Sequence, residues 1–277
     1  MLLALNVNNT NTVIGLYPLR PDGRTGELRA TWRISTRNPQ TADEYGILIR
    51  NLLQSEGVDS QAVRGIVIAS VVPPIDWILA QFCERYFLQK PLFLEPGIKT
   101  GLPILTDNPG EVGADRVANC VGAFEKYGGP CIVVDFGTAT NFDVVSQKGE
   151  FLGGAIAPGL NISAEALFAR AARLPRVEIK RPAKVIGTNT VDNLQIGLFY
   201  GHIGLVDSIL ERMIGKLGPE TKCVATGGLA HLIANDSKYI SSVDEMLTLD
   251  GLRIIYERNR SSGARPGPHK APSAQEA

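Results

Sequence analysis

Within the run Cys131 to Val145, CIVVDFGTATNFDVV, a carboxylate, a glycine and two hydroxyls fall in one short stretch: Asp135, Gly137, Thr138 and Thr140. The apolar Ile132, Val133 and Val134 read as a buried strand that delivers Asp135 to its end, and the polar residues make a tight turn into a second strand. Gly137 offers positive-φ geometry and lets a ligand approach the backbone. Free amides and hydroxyls of such a turn hold phosphate oxygens. The chemistry expected here is a cradle for a nucleoside triphosphate.

A second pair of reactive side chains precedes it. Glu111-Val-Gly-Ala-Asp-Arg places Asp115 and Arg116 just before the apolar pattern Val117, Cys120, Val121, Phe124, which seats them on the first turn of a helix. Adjacent Asp and Arg are compatible with a solvated ion pair. Lying between the glycine- and proline-rich loop Gly97 to Pro109 and the phosphate turn, they are equally compatible with substrate-facing chemistry.

The strand-turn-strand pattern occurs once more, at the N-terminus. Leu2 to Leu5 lead to Asn6-Val7-Asn8-Asn9-Thr10-Asn11, and Thr12, Val13 and Ile14 return. Aligned residue by residue, Asn6 matches Asp135, Asn8 matches Gly137 and Asn11 matches Thr140. Two such units imply a duplicated architecture. Asparagine tolerates left-handed backbone, so the first turn survives without the glycine.

The elements that must position these residues follow from the rest of the chain. Leu28 to Ile34 alternates as a strand, and Thr41 with Glu44 forms a capping box for a helix through Leu53. Ile66 to Ala69 is a buried strand. The prolines after Val72 open a helix over Ile75 to Phe87, with Trp77, Ile78, Phe82 and Tyr86 as its expected core face. Pro91 to Leu94 reads as a further strand, as do Phe151 to Leu160 and Lys222 to Ala225. Helices are expected from about Asn161 to Arg173 and over Val191 to Leu217, where His202 reads as a packed residue. Thr226-Gly227-Gly228 is either a plain turn or a gap beside an adenine or ribose. Residues 261 to 277, rich in Arg, Ser, Gly and Pro, read as a disordered tail.

With 277 residues, 44% hydrophobic, the chain has room for two ordinary domains, taken as 1–128 and 129–260. Lys and Arg number 28 against 28 Asp and Glu, so net charge supplies no reason to expect a nucleic-acid or membrane partner. The four cysteines, Cys83, Cys120, Cys131 and Cys223, are dispersed in apolar contexts and read as buried thiols of a reducing compartment. The apolar start is too short for a signal peptide or membrane span, which makes the cytoplasm the expected location.

Taken together, NTNTV near the N-terminus, Asp43-Glu44-Tyr45, Ser70-Val-Val-Pro, Gly101-Leu-Pro, Asp107-Asn-Pro with Glu111-Val-Gly-Ala-Asp-Arg, Val134-Asp-Phe-Gly-Thr-Ala, Gly153-Gly-Ala-Ile-Ala-Pro-Gly, Asn189-Thr190 and Thr226-Gly-Gly-Leu resemble the type III pantothenate kinases, up to about Tyr256. The resemblance implies an α/β fold of the acetate kinase, sugar kinase and actin superfamily: two ribonuclease H-like domains, mixed sheets flanked by helices, and ATP in the cleft. It implies phosphorylation of pantothenate by ATP, the first step towards coenzyme A. It also implies a homodimer that completes the pantothenate and monovalent-cation sites near its interface. By position, Asn6, Val7, Asn8, Asn9, Thr10, Asn11, Thr12 and Val13 become the ATP-phosphate segment, joined by Thr138. Gly113, Ala114, Asp115 and Arg116 become the pantothenate segment, with Asp115 as proton acceptor and Thr190 as a further contact. Asp135 becomes the ligand of a potassium or ammonium ion.

The chain departs from that family at two positions. An aspartate ordinarily stands at Asn6 and a glycine at Asn8. The aspartate helps position the Mg2+ that accompanies ATP, and loss of a charge about 4 Å from a cation forfeits roughly 4 kcal/mol per unit of cation charge at an effective dielectric near 20. The resemblance therefore leaves two expectations: a working kinase, or a homologue of impaired turnover acting as a binding or regulatory protein. A role on nucleic acid, which some family names suggest, is disfavoured by the zero net charge.

Overall fold

The computed structural model describes residues 1–37 and 40–260; the expected tail, 261–277, lies outside the described residues. Two five-stranded sheets are built from the same plan. In the first, β1 (Leu2–Val7), β2 (Asn11–Tyr17) and β3 (Ala30–Ser35) run antiparallel, while β4 (Gly65–Ser70) and β5 (Leu92–Phe93) extend the sheet in parallel on the other side of β1, giving the order β3-β2-β1-β4-β5. The second repeats it with β6 (Cys131–Phe136), β7 (Ala139–Val145), β8 (Phe151–Pro158), β9 (Lys222–Thr226) and β10 (Ser242–Val243), ordered β8-β7-β6-β9-β10. The duplication expected from the two turns is thus carried through whole sheets, each of the ribonuclease H-like order.

Register refines the match between the copies. Val7 pairs with Thr12 across the first hairpin and Phe136 with Thr140 across the second. The first turn is one residue longer, so Thr12, not Asn11, is the counterpart of Thr140. The two threonines behave alike. Thr12 is buried with its hydroxyl 2.8 Å from that of Thr36, and Thr140 is buried 3.1 Å from His202 Nε2.

Alternation along the strands sorts their side chains into two outer cores and one shared core. Leu3, Leu5 and Val7 face helices α1 (Ala42–Ser55) and α2 (Asp76–Phe87), whereas Ile132, Val134 and Phe136 face α4 (Leu160–Arg170) and α5 (Thr190–Leu217). Leu2 and Ala4 of β1, with Cys131 and Val133 of β6, point instead into a common core with α3 (Ala114–Tyr127) and the last helix, α7 (Leu247–Arg260). These two helices cross with backbones in contact. A Cβ on Gly251 would stand 1.8 Å from the Ala118 carbonyl oxygen, and one on Gly122 would stand 2.5 Å from that of Leu247. The short helix α6 (Ala230–Ala234), β10 and α7 were not anticipated from the sequence, although Leu247, Leu252 and Ile255 of α7 recur at helical spacing.

The capping box at α1 forms as expected: Glu44 N donates to Thr41 Oγ1 at 3.2 Å, and Thr41 N donates to Glu44 Oε2 at 2.7 Å. The expected core face of α2 is corrected by one position. Trp77 is 61% exposed, and Ile78, Leu79, Phe82, Cys83 and Phe87 are buried, because the true stripe begins at Ile75 in the 3₁₀ turn Pro73–Ile75. Tyr86 lies at its margin, with its hydroxyl donating to Asp43 at 2.6 Å. All four cysteines are buried and free.

Candidate active site

Asn6 and Asp135 occupy equivalent places. Each is the last residue of its inner strand whose parity points to the shared core, so each side chain faces the space between the sheets where α3 begins. Asn6 is 7% exposed, and its Oδ1 is buried without a hydrogen-bond partner. Such an orphaned acceptor costs free energy unless something donates to it. Beyond it the turn Asn8 to Asn11 closes through Asn8 N to Asn11 O at 3.1 Å, leaving Asn9 and Thr10 exposed.

The second turn closes through Gly137 N to Ala139 O at 3.0 Å, and Thr138 is exposed above it, its carbonyl accepting from Gly159 N at 3.2 Å. Neither Gly137 nor Asn8 takes the left-handed backbone expected of it; Leu88 is the non-glycine residue with positive φ among the described residues. Gly227 does, with φ +93, and it also has no room for a side chain, since a Cβ there would lie 2.5 Å from Asp135 Oδ1. The Thr226-Gly227-Gly228 turn therefore abuts Asp135 directly.

Asp115 stands on the first turn of α3, as predicted, and its Oδ1 accepts from Arg116 N at 2.8 Å. Burial outweighs that bond and holds its carboxyl above the ordinary range. Asp135 Oδ2 accepts from Asn119 Nδ2 at 3.1 Å, and the Asn119 Oδ1 accepts from Thr248 of α7 at 2.6 Å. Burial, then the charge of Asp115, pushes Asp135 up to about 7. Arg116 places Nε 2.9 Å and Nη2 2.5 Å from Asp143 Oδ1 on β7. Burial pushes Asp143 up to about 6 against the pull of that guanidinium.

Burial raises all three carboxyls of this partly buried cluster, the charge of Asp115 adds to the rise at Asp135 and Asp143, and Arg116 supplies the counter-charge. A cluster so short of positive charge takes up either protons or a cation. Among the described residues no group of three His, Cys, Asp or Glu side chains converges as a ready metal cage, so a cation here would draw ligands from elsewhere as well. Asn119, Asp143 and Thr248 were not anticipated. Asp143 had one legible sign, a charge alternating with the apolar residues of FDVV.

The expected site residues do not all meet. Asn6 by parity and Val13 and Ala114 by packing lie toward the shared core, and Asp115 stands near Asp135, whereas Val7 and Thr12 face the outer core and Thr138 lies exposed on the second turn. Thr190 opens α5, exposed, capped by Asn189, whose side chain accepts from Asp192 N at 2.9 Å. Among the described residues no hydrogen bond or ion pair joins Thr190 to Gly113–Arg116. No helix of the described residues is long and apolar enough to cross a membrane.

Comparison with known proteins sets this geometry in a family. A family model for Type III pantothenate kinase matches residues 2–212. A Type III pantothenate kinase of Acidobacterium capsulatum is 76% identical over 267 residues, covering 96% of this chain and 98% of that protein. Those of Koribacter versatilis and Myxococcus xanthus are 62% and 56% identical, covering 95% of this chain and 97% and 100% of theirs. Among solved structures, a conserved protein of the Baf family of transcriptional activators from Campylobacter jejuni superposes with a TM-score of 0.56 at 20% identity, covering 93% of this chain and 98% of that one. The ethanolamine utilization protein EutJ from Carboxydothermus hydrogenoformans gives 0.52 at 12%, covering 91% and 89%. At these identities the structural likeness speaks for the fold.

Proposed function

The chain belongs to the type III pantothenate kinase family, and on that premise we propose that the space between its two sheets is where ATP meets the hydroxyl of pantothenate. The protein is a kinase of coenzyme A biosynthesis, phosphorylating pantothenate at the expense of ATP. The observation that carries the assignment of the site is the convergence of Asp115, Arg116 and Asp135 at the N-terminus of α3, beside the turn that begins at Asn6.

Phosphoryl transfer through a loose transition state needs alignment and charge neutralisation more than covalent participation. Backbone amides and hydroxyls of Asn6 to Val13, with Thr138, hold the triphosphate. Asp115 accepts the proton of the pantothenate hydroxyl, its carboxylate oriented by Arg116 N. Gly113 to Arg116 hold the acceptor. The buried, unpartnered Asn6 Oδ1 suits a magnesium-bound water, so Asn6 would take the second sphere of the metal that accompanies ATP. Asp135, ionised by a neighbouring cation, would ligate potassium or ammonium. These cations supply charge neutralisation of the phosphates when bound.

The acceptor site is open on one side. Ile156, 64% exposed, stands on the same sheet face as Asp143, since Asp143 pairs with Gly154 and Asn141 with Ile156 on the edge strand β8. Ile162, Leu167 and Phe168 of α4, and Val185 and Ile186 before α5, are exposed too. A homodimer would cover this flank, and Thr190 of a second copy would complete the acceptor site. The lobes are assigned to 1–128 and 129–260, although α7, last in the chain, packs on β1, β2, β4 and α3 of the first lobe, and the reaction is assigned to the cytoplasm. The test is direct: full-length protein with ATP, Mg2+, K+ and pantothenate must release ADP and form a phosphorylated acceptor, and Asp115→Asn must slow both about 10²-fold or more. Absence of pantothenate-dependent ADP release overturns the reading.

A further inference from the structure

Asp143 is the most enclosed carboxylate of the cluster, its side chain 0% exposed against 16% for Arg116, and the reaction as derived gives it no task. Arg116 spends two of its five N–H groups, on Nε and Nη2, upon a single oxygen of Asp143. The guanidinium carbon also stands 5.6 Å from the centroid of Phe151. Phe151 is itself fixed, because its N–H donates to Pro103 O and its carbonyl accepts from Leu105 N, each at 2.8 Å. Asp143 Oδ2 is buried without a partner.

As a stabilising device this arrangement is poor, since a buried pair with an unsatisfied oxygen gains little over apolar packing. As a constraint on direction it is strong. Asp115 and Asp135 also face this space, and a loose Arg116 would pair with one of them, silencing the proton acceptor or the proposed cation ligand. We infer that Asp143 is a positioning residue, which tethers Arg116 away from Asp115 and aims its remaining N–H groups at the carboxylate of the acceptor substrate. The inference rests on the acceptor site proposed above.

Steady-state rates with the full-length chain, pantothenate varied at saturating ATP, Mg2+ and K+, test it. Asp143→Asn should raise the pantothenate KM about ten-fold or more, as loss of alignment does, with the ATP KM changed less than two-fold. In an Arg116→Met background the same substitution should leave the pantothenate KM unchanged. A KM for Asp143→Asn within two-fold of wild type, or the same fold-change with and without Arg116, overturns the role. If Asp143→Asn does not fold, Asp143→Glu carries the test: the charge stays, the guanidinium is displaced, and a wild-type pantothenate KM overturns the inference. A wild-type chain without pantothenate turnover refutes the site itself; an active one indifferent to Asp143 refutes only this tether.

Discussion

Thr248, near the start of α7, donates its hydroxyl to the buried amide oxygen of Asn119 at 2.6 Å and so decides which end of that amide meets Asp135. With the oxygen taken, Nδ2 faces the carboxylate. The last helix of the chain thereby reaches the catalytic space through one side chain of α3. Thr248→Val keeps the shape and removes the donor, leaving a buried acceptor unpaired at a cost of about 1–3 kcal/mol. Chemical denaturation should register that loss. With K+ at Asp135 as proposed, its half-activating concentration should rise several-fold, because an amide free to flip turns its oxygen towards Asp135. An unchanged K+ requirement would detach Asn119 from the cation site.

Asp115 can accept a proton only when ionised, and burial holds its pKa above the ordinary carboxylate range. The acid limb of kcat/KM should therefore fall at higher pH than a free aspartate would give, activity declining as pH drops through the raised value. Asp115→Asn should reduce kcat about 10²- to 10⁴-fold and leave ATP affinity, measured by calorimetry, intact. A rate that stays flat down to pH 4 would remove Asp115 from the proton path.

Much of this was legible in the chain. Strand ends carrying Asn6 and Asp135, the Thr41–Glu44 box and the first-turn position of Asp115 all follow from local pattern, because each depends on residues within a few positions. What could not be read depends on distant packing. Gly251 in α7 is intelligible only beside the Ala118 carbonyl, and the Thr12–Thr140 equivalence only from the register of two hairpins of unequal length. Trp77 misled because a large aromatic next to an apolar stripe resembles its member until the helix phase is known.

Asn6 offers a neutral oxygen where the family is expected to have a carboxylate. Asn6→Asp should lower the Mg2+ concentration for half-maximal activity about ten-fold, a fraction of the roughly 4 kcal/mol that one charge contributes at close range to a cation. Without Mg2+ the same variant should melt lower than wild type, since it places an unpaired carboxylate at a position only 7% exposed. Equal Mg2+ dependence in both forms would show that the metal is held by phosphate oxygens and water alone.

The open flank beside Ile156 makes a prediction about assembly. Among the described residues Thr190 makes no hydrogen bond to its own Gly113–Arg116 segment, and under the proposed homodimer its contribution to the acceptor site comes from a second copy. Asp115→Asn and Thr190→Ala chains should each be weak alone. Mixed after mild dissociation, they form hybrids in which one of the two sites joins an intact Asp115 to an intact Thr190, and recovery should approach about a quarter of wild-type activity for random pairing of a symmetric dimer. Ile156→Glu, placing a charge on the exposed flank, should shift sedimentation towards monomer and abolish that recovery. Activity of the mixture no greater than the sum of its parts would return Thr190 to its own protomer and leave the flank without a partner.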